Sequence, residues 1–148
     1  MRISARGRYA MAAAVSLARQ VNSGACVTVL SISENLGISK IYLEQVFSLL
    51  KRGGLVTSTK GSQGGYQLSR APDAITLLEI LSAVESSLFE ETESTVPDAA
   101  PDIEAALRTS AFGPLDRAIQ EFLSSVTLDM LVTAADTYLS ESAPMFYI

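Results

Sequence analysis

The stretch that most constrains the fold spans residues 39–70, SKIYLEQVFSLLKRGGLVTSTKGSQGGYQLSR. Ser39 is a favourable helix N-cap and Gly53-Gly54 a natural stop, so residues 39–52 are expected to form a helix. At about 100° per residue, Tyr42, Leu43, Val46, Phe47, Leu49 and Leu50 share one side, and Lys40, Glu44, Gln45, Ser48, Lys51 and Arg52 the other. Residues 28–36 form a second short helix ending at Gly37, and the Gly-Ile-Ser turn between the two is that of a helix-turn-helix. Residues 55–60 and 66–70 are strand-like and flank a glycine-rich tip, which predicts a hairpin. A helix-turn-helix followed by a basic hairpin is a winged helix.

The polar face suits DNA chemically. Gln45 can pair with adenine, Glu44 can accept from a cytosine amino group, and Ser48 is adaptable. Lys40, Lys51 and Arg52 can reach guanine edges or phosphates. At the tip, Gly61, Gly64 and Gly65 allow close backbone approach to a sugar-phosphate chain, while Lys60 and Gln63 supply donors for a phosphate or a minor groove. Ser39, Tyr42, Ser62 and Tyr66 complete the candidate DNA-binding set on helix and wing. A solvated amphipathic helix and an ordinary hairpin would explain the same pattern without DNA.

Charge separates the two readings. The chain as a whole carries a formal −5, which argues against a nucleic-acid binder, but residues 1–72 hold nine Lys/Arg and two acids, a formal +7, and residues 73–148 hold two and fourteen, a formal −12. A basic head on an acidic body is the asymmetry of a DNA-binding domain carried by a partner-binding one. Arg2, Arg6 and Arg8 sharpen the point. They sit at the opening of the first helix, residues 4–21, where the helix dipole favours negative charge, so a DNA phosphate would relieve the conflict; snorkelling surface arginines are the alternative.

The single cysteine, Cys26, and the absence of histidine leave no Cys/His set for zinc or an iron-sulfur cluster, and no conventional nucleophile pair. No metal, cofactor or catalytic residue is therefore expected. GSQGG also lacks the Gly-Lys-Ser/Thr of a phosphate loop, so an enzyme is the weakest reading. Cys26 is either a small buried hydrophobe or an oxidation sensor. The N-terminal arginines and following apolar run imitate a secretory leader, but removing it would delete a helix the domain needs. With no stretch of about 18 apolar residues, no membrane span is proposed, and the cytoplasm is the expected location.

The expected fold class is mainly α with a small β-hairpin: a winged helix-turn-helix plus a C-terminal dimerisation helix. Residues 1–85 form the DNA-binding domain, opening its last helix, 77–84, with a capping box from Thr76 to Glu79. Residues 86–102 are rich in Glu, Ser, Thr, Pro and Asp and are expected to be a flexible acidic loop. Residues 103–141 carry the dimerisation helices, with a short last helix at 128–135. Leu115, Ala118, Ile119, Phe122, Leu123 and Val126 make an unbroken apolar stripe that needs a partner: a second copy, placing two heads on a palindromic operator, or this chain's own domain. Residues 142–148 form an apolar tail. Met145, Phe146, Tyr147 and Ile148 end it, suited to docking on the dimer or in another protein's carboxylate-binding pocket.

Together, MRISARGRYAM, SISENLGISKIYLEQVFSLLKRGGLVTSTKGSQGGYQLS, ITLLEILSAVE and TLDMLV resemble the Rrf2 family of bacterial winged-helix transcription regulators. The resemblance covers most of the chain. It implies a dimer joined through a long C-terminal helix, with helix 39–52 in the major groove and the wing in the minor groove. Many relatives sense iron-sulfur status through three cysteines between the fourth and fifth helices; here that region has none. The chain is more similar to the cluster-free, CymR-like repressors of cysteine metabolism, which end in a similar MFYI tail. That similarity implies the cysteine synthase CysK as corepressor, with O-acetylserine relieving repression. Two further readings stay open: a regulator sensing redox through Cys26, and a protein-interaction module that has lost DNA binding.

Overall fold

The computed structural model describes residues 2–142. Seven α-helices and one hairpin appear in the order α1 (Ala5–Ala18), α2 (Val29–Leu36), α3 (Lys40–Arg52), β1 (Val56–Thr59), β2 (Gly65–Leu68), α4 (Leu77–Val84), α5 (Pro101–Leu107), α6 (Gly113–Ser125) and α7 (Leu128–Ser142). The winged helix-turn-helix expected from the sequence is present, with the strands paired antiparallel from Val56 opposite Leu68 to Thr59 opposite Gly65.

Local chemistry sets most boundaries. Ser4, Thr28, Ser39 and Thr76 each accept a backbone N–H of the first turn of the helix they open, removing an otherwise unsatisfied donor. At Thr76 the Glu79 carboxylate returns the bond, completing the capping box. Gly37 ends α2 at φ 65°, a left-handed position that glycine fills without strain. The first helix stops at Ala18, short of the expected 21, because the chain tightens into a 3-10 turn over Val21–Ser23 before Gly24.

The core lies beneath α1, whose buried face is largely alanine: Ala10, Ala13, Ala14 and Ala18, with Leu17. Small side chains bring its backbone close to α3 and α4, while α7 packs against it too. Leu43, Val46, Phe47 and Leu50 from α3, Ile32 from α2, Ile80 and Val84 from α4 and Leu128 from α7 fill the space. No buried side-chain polar atom among the described residues lacks a partner.

Beyond α4 the chain departs from the expectation in three places. The irregular acidic segment ends at residue 100, since Pro101 is a good first helical residue and α5 starts there. It is also fastened. Asp116 accepts from both the N–H and the hydroxyl of Thr92, Glu104 accepts from the N–H groups of Thr95 and Val96, and Arg108 donates to the Thr92 carbonyl. A π-helical turn over Arg108–Phe112 joins α5 to α6 and carries the chain through Gly113-Pro114, where proline brings no N–H. Last, α7 runs to Ser142 rather than stopping at 135. Residues Met145, Phe146, Tyr147 and Ile148 lie outside the described residues.

Candidate nucleic-acid interface

The recognition helix divides as its pattern predicts. Lys40, Glu44, Gln45, Ser48, Lys51 and Arg52 are exposed, while Leu43, Val46, Phe47 and Leu50 are buried. Lys40 and Glu44 approach to 3.7 Å across one turn, a surface pair worth little and easily exchanged for a ligand. The Lys51 ammonium donates to the Ser58 hydroxyl at 2.7 Å, tying the helix to strand β1. Ser39 uses its hydroxyl oxygen as the helix cap, accepting from the Tyr42 N–H at 3.3 Å.

Two candidate aromatic residues also carry packing contacts. Tyr42 meets Tyr9 edge-on with ring centroids 5.0 Å apart, and Tyr66 stacks on Phe47 at 4.6 Å. These rings position the interface by packing. The Tyr9–Tyr42 contact brings the N-terminal turns of α1, and with them exposed Arg6 and Arg8, beside the start of α3. Arg2 is exposed as well.

The wing is held to the reading head by backbone. Val27 and Tyr66 exchange N–H···O bonds of 2.9 and 2.7 Å, so the turn before α2 acts as a third short strand. Gln67 adds a side-chain bond to the Gly24 carbonyl at 2.7 Å. Gly65 sits in this crossing at φ 142°, and a Cβ there would lie 2.5 Å from the Val27 carbonyl oxygen. Lys60, Gly61, Ser62 and Gln63 project exposed at the tip, and Gly64 closes it by donating to the Gly61 carbonyl at 3.0 Å. Among the described residues, Arg2, Arg6, Arg8, Lys51, Arg52 and Lys60 form no ion pair. Their charge is therefore available to phosphate.

One residue of this face is absent from the sequence-derived set. Ile41 is 71% exposed in the first turn of α3. Sorting by residue type assigns an isoleucine to neither a polar nor a buried group. Its angular position was the available signal, and it lies among the polar residues.

The apolar stripe on α6 is split. Leu123 is buried against its own domain and Ile119 and Val126 are half-buried, whereas Leu115 and Phe122 are 58% and 64% exposed, with Ala118 open beside them. A cavity of about 550 Å³ is lined by Ile3, Met11, Leu77, Ala118, Ile119, Phe122 and Leu123. Part of the stripe thus packs on its own domain, and part is left for another surface.

Two carboxylates are held below their ordinary range. For Glu79 the main cause is the Arg70 guanidinium, outweighing the opposing effect of burial and helped by the Thr76 N–H. For Glu104 it is the backbone N–H groups of Val96 and Thr95. Cys26 is half-buried, next to Val27 of the wing crossing. Among the described residues no three His, Cys, Asp or Glu are placed to hold a metal ion, and no helix is long and apolar enough to cross a membrane.

Comparison with known proteins gives a consistent result. The family model Rrf2, described as iron-dependent transcriptional regulator, matches residues 3–134. The HTH-type transcriptional regulator IscR of Erwinia tasmaniensis is 38% identical over 132 residues, spanning 89% of this chain and 79% of that protein. The solved structure of CymR (YrzC), the global cysteine regulator of B. subtilis, superposes with a TM-score of 0.77 at 32% identity, covering 90% of this chain and 98% of that one. IscR of T. potens gives a TM-score of 0.71 at 32% identity, covering 91% and 88%.

Proposed function

Because the chain belongs to the Rrf2 family of transcriptional regulators, we propose that it is a dimeric, DNA-binding repressor of cysteine and sulfur genes that works without an iron-sulfur cluster. The observation that carries the DNA reading is the exposed polar face of α3 bound to a basic, glycine-tipped wing through Lys51–Ser58 and the Val27–Tyr66 crossing. In this reading α3 enters the major groove, the wing follows the minor groove or its phosphates, and the α1 arginines take flanking phosphates. The exposed half of the α6 stripe joins two copies, and the two-fold axis sets a palindromic operator.

The family description raises iron, so the donor set matters. Fe–S clusters are held mainly by cysteine thiolates. This chain has one cysteine and no histidine, and the segment between α4 and α5 is closed by Asp116, Glu104 and Arg108 contacts. The residues present do not fit such a cluster, which supports the cluster-free reading. The cysteine-gene assignment is supported by the likeness to the B. subtilis regulator and by the MFYI ending, which also makes the cysteine synthase CysK the partner of choice.

Binding of the full chain to its own genome's promoter fragments, followed by footprinting, tests this. Protected fragments should lie upstream of sulfur genes, and affinity should fall steeply with salt as phosphate contacts are screened. Salt-insensitive or absent binding refutes the DNA reading; protection elsewhere refutes only the sulfur assignment. Deleting Phe146 to Ile148 should abolish pull-down of the synthase and spare DNA binding; an unchanged pull-down removes the tail from the account.

A further inference from the structure

We propose that Ile41 reads the C5-methyl group of a thymine in the major groove and is a sequence-determining residue of α3. This deepens the DNA-binding reading above and rests on it.

The placement of the side chain carries the inference. On a helix of about 100° per residue, Ser48 and Arg52 lie within roughly 20° of Ile41 on either side, Gln45 about 40° away and Glu44 about 60°. A large apolar side chain therefore occupies the middle of the polar face, and it is 71% exposed there. Ile41 is also in the first turn of α3, directly after Lys40, the first helical residue. Helical side chains tilt toward the N-terminus, and in helix-turn-helix proteins that end of the recognition helix meets base edges.

Chemistry then narrows the target. Among the groups that bases present in the major groove, the thymine methyl is the apolar one; the others donate or accept hydrogen bonds. Ile41 can offer neither, so it adds nothing at a guanine or adenine edge and gains only where a methyl covers it. A thymine there would sit among bases that Gln45, Glu44 and Arg52 can read, the first suited to adenine, the second to cytosine and the third to guanine. The side chain is rigid at χ1, so little conformational freedom is lost on contact. Burying one methyl-sized group against it changes affinity by about fourfold. Scattered exposed apolar residues are common on protein surfaces, and a merely tolerated isoleucine predicts no methyl effect at all.

The experiment begins with selection of bound duplexes from a random-sequence pool by the full chain. Each thymine of the selected duplex is then replaced singly by deoxyuridine, which removes only the methyl. One position per half-site should lose about three- to tenfold in affinity. In Ile41→Ala that thymine-to-uracil ratio should fall to about one, whereas Lys60→Ala should weaken both duplexes alike. Ile41→Val should keep part of the discrimination. Uniform responses at every thymine of the wild-type complex overturn the proposal, as does discrimination that persists in Ile41→Ala. A pool that yields no salt-sensitive duplex overturns the DNA-binding reading itself, and this inference with it.

Discussion

Gly65→Ala should be among the most damaging single-methyl additions in the reading head. Its Cβ would lie 2.5 Å from the Val27 carbonyl oxygen and 2.7 Å from the carbonyl carbon, and the backbone φ of 142° already disfavours an L side chain. The conformational strain costs about 1–3 kcal/mol. Relieving the collision requires β2 and the turn before α2 to separate, which weakens the 2.9 and 2.7 Å bonds between Val27 and Tyr66 at about 1 kcal/mol each. The sum is about 3–5 kcal/mol. Gly54→Ala is the control, because φ is 77° but nothing lies within 4 Å, leaving only a left-handed penalty of about 1–2 kcal/mol. At about 2–4 °C per kcal/mol for a chain of this size, Gly65→Ala should melt about 6–20 °C below the wild type and Gly54→Ala about 2–8 °C below it, with Gly65→Ala the lower of the two. Circular dichroism melts at one fixed protein concentration measure both, since self-association in the proposed dimer would make Tm concentration-dependent. If the two variants melt together, the close approach of wing and turn is not what holds the head rigid.

Phe122→Glu places a charge on the exposed part of the α6 stripe, where Phe122 is 64% exposed in one protomer, so the fold should survive while sedimentation shows a monomer. A variant that stays dimeric at micromolar concentration would remove α6 from the interface. Glu79 has its folded-state pKa lowered, chiefly by Arg70, so its contribution to stability is complete above the ordinary carboxylate range and drains away as pH falls through the lowered value. Urea unfolding of the wild type and Glu79→Gln should therefore differ most near about pH 6 and converge toward about pH 3. A gap that does not change with pH would contradict that origin.

The reading head was legible because its signals are local. Ser39, Gly37 and the Gly53-Gly54 pair mark boundaries within a few residues of the elements they bound, and the period of α3 separates its two faces. What escaped depended on distance or on classification. Composition alone makes residues 86–102 a free acidic loop, yet its bonds come from Asp116, 24 residues beyond Thr92, and from Glu104, which no local pattern announces. The end of α7 is hard to read for another reason. Thr137, Ser140, Glu141 and Ser142 carry no apolar period, and some of these hydroxyls bond back to carbonyls of their own helix, as Thr137 does to Thr133 and Ser142 to Tyr138. The packing of Tyr42 and Tyr66 is likewise invisible locally, because the partners of their rings, Tyr9 and Phe47, lie far away in sequence.

The junction of the two halves explains how an acidic body can be carried by a basic head without cancelling it. Between α6 and α7, Thr127 pairs with Thr76 in a short antiparallel bridge, through a Leu77 N–H to Val126 carbonyl bond of 2.9 Å and a Leu128 N–H to Ile75 carbonyl bond of 3.0 Å. Ile75 and Leu128 are fully buried on either side of it. The bridge coincides with the capping box of α4, so the same Thr76 starts that helix and anchors the C-terminal pair. At this seam the acids already have partners: Glu79 holds Arg70, and Ser4 at the start of α1 donates to Glu85. Ion pairing between the halves thus uses Arg70, with Glu79, and Arg19, with Asp136, both outside the candidate interface, and leaves Arg6 and Arg8 of α1 and the lysines of α3 and the wing without a partner in the back half. A head wired in this way keeps its positive field toward phosphate even though the chain as a whole is formally −5.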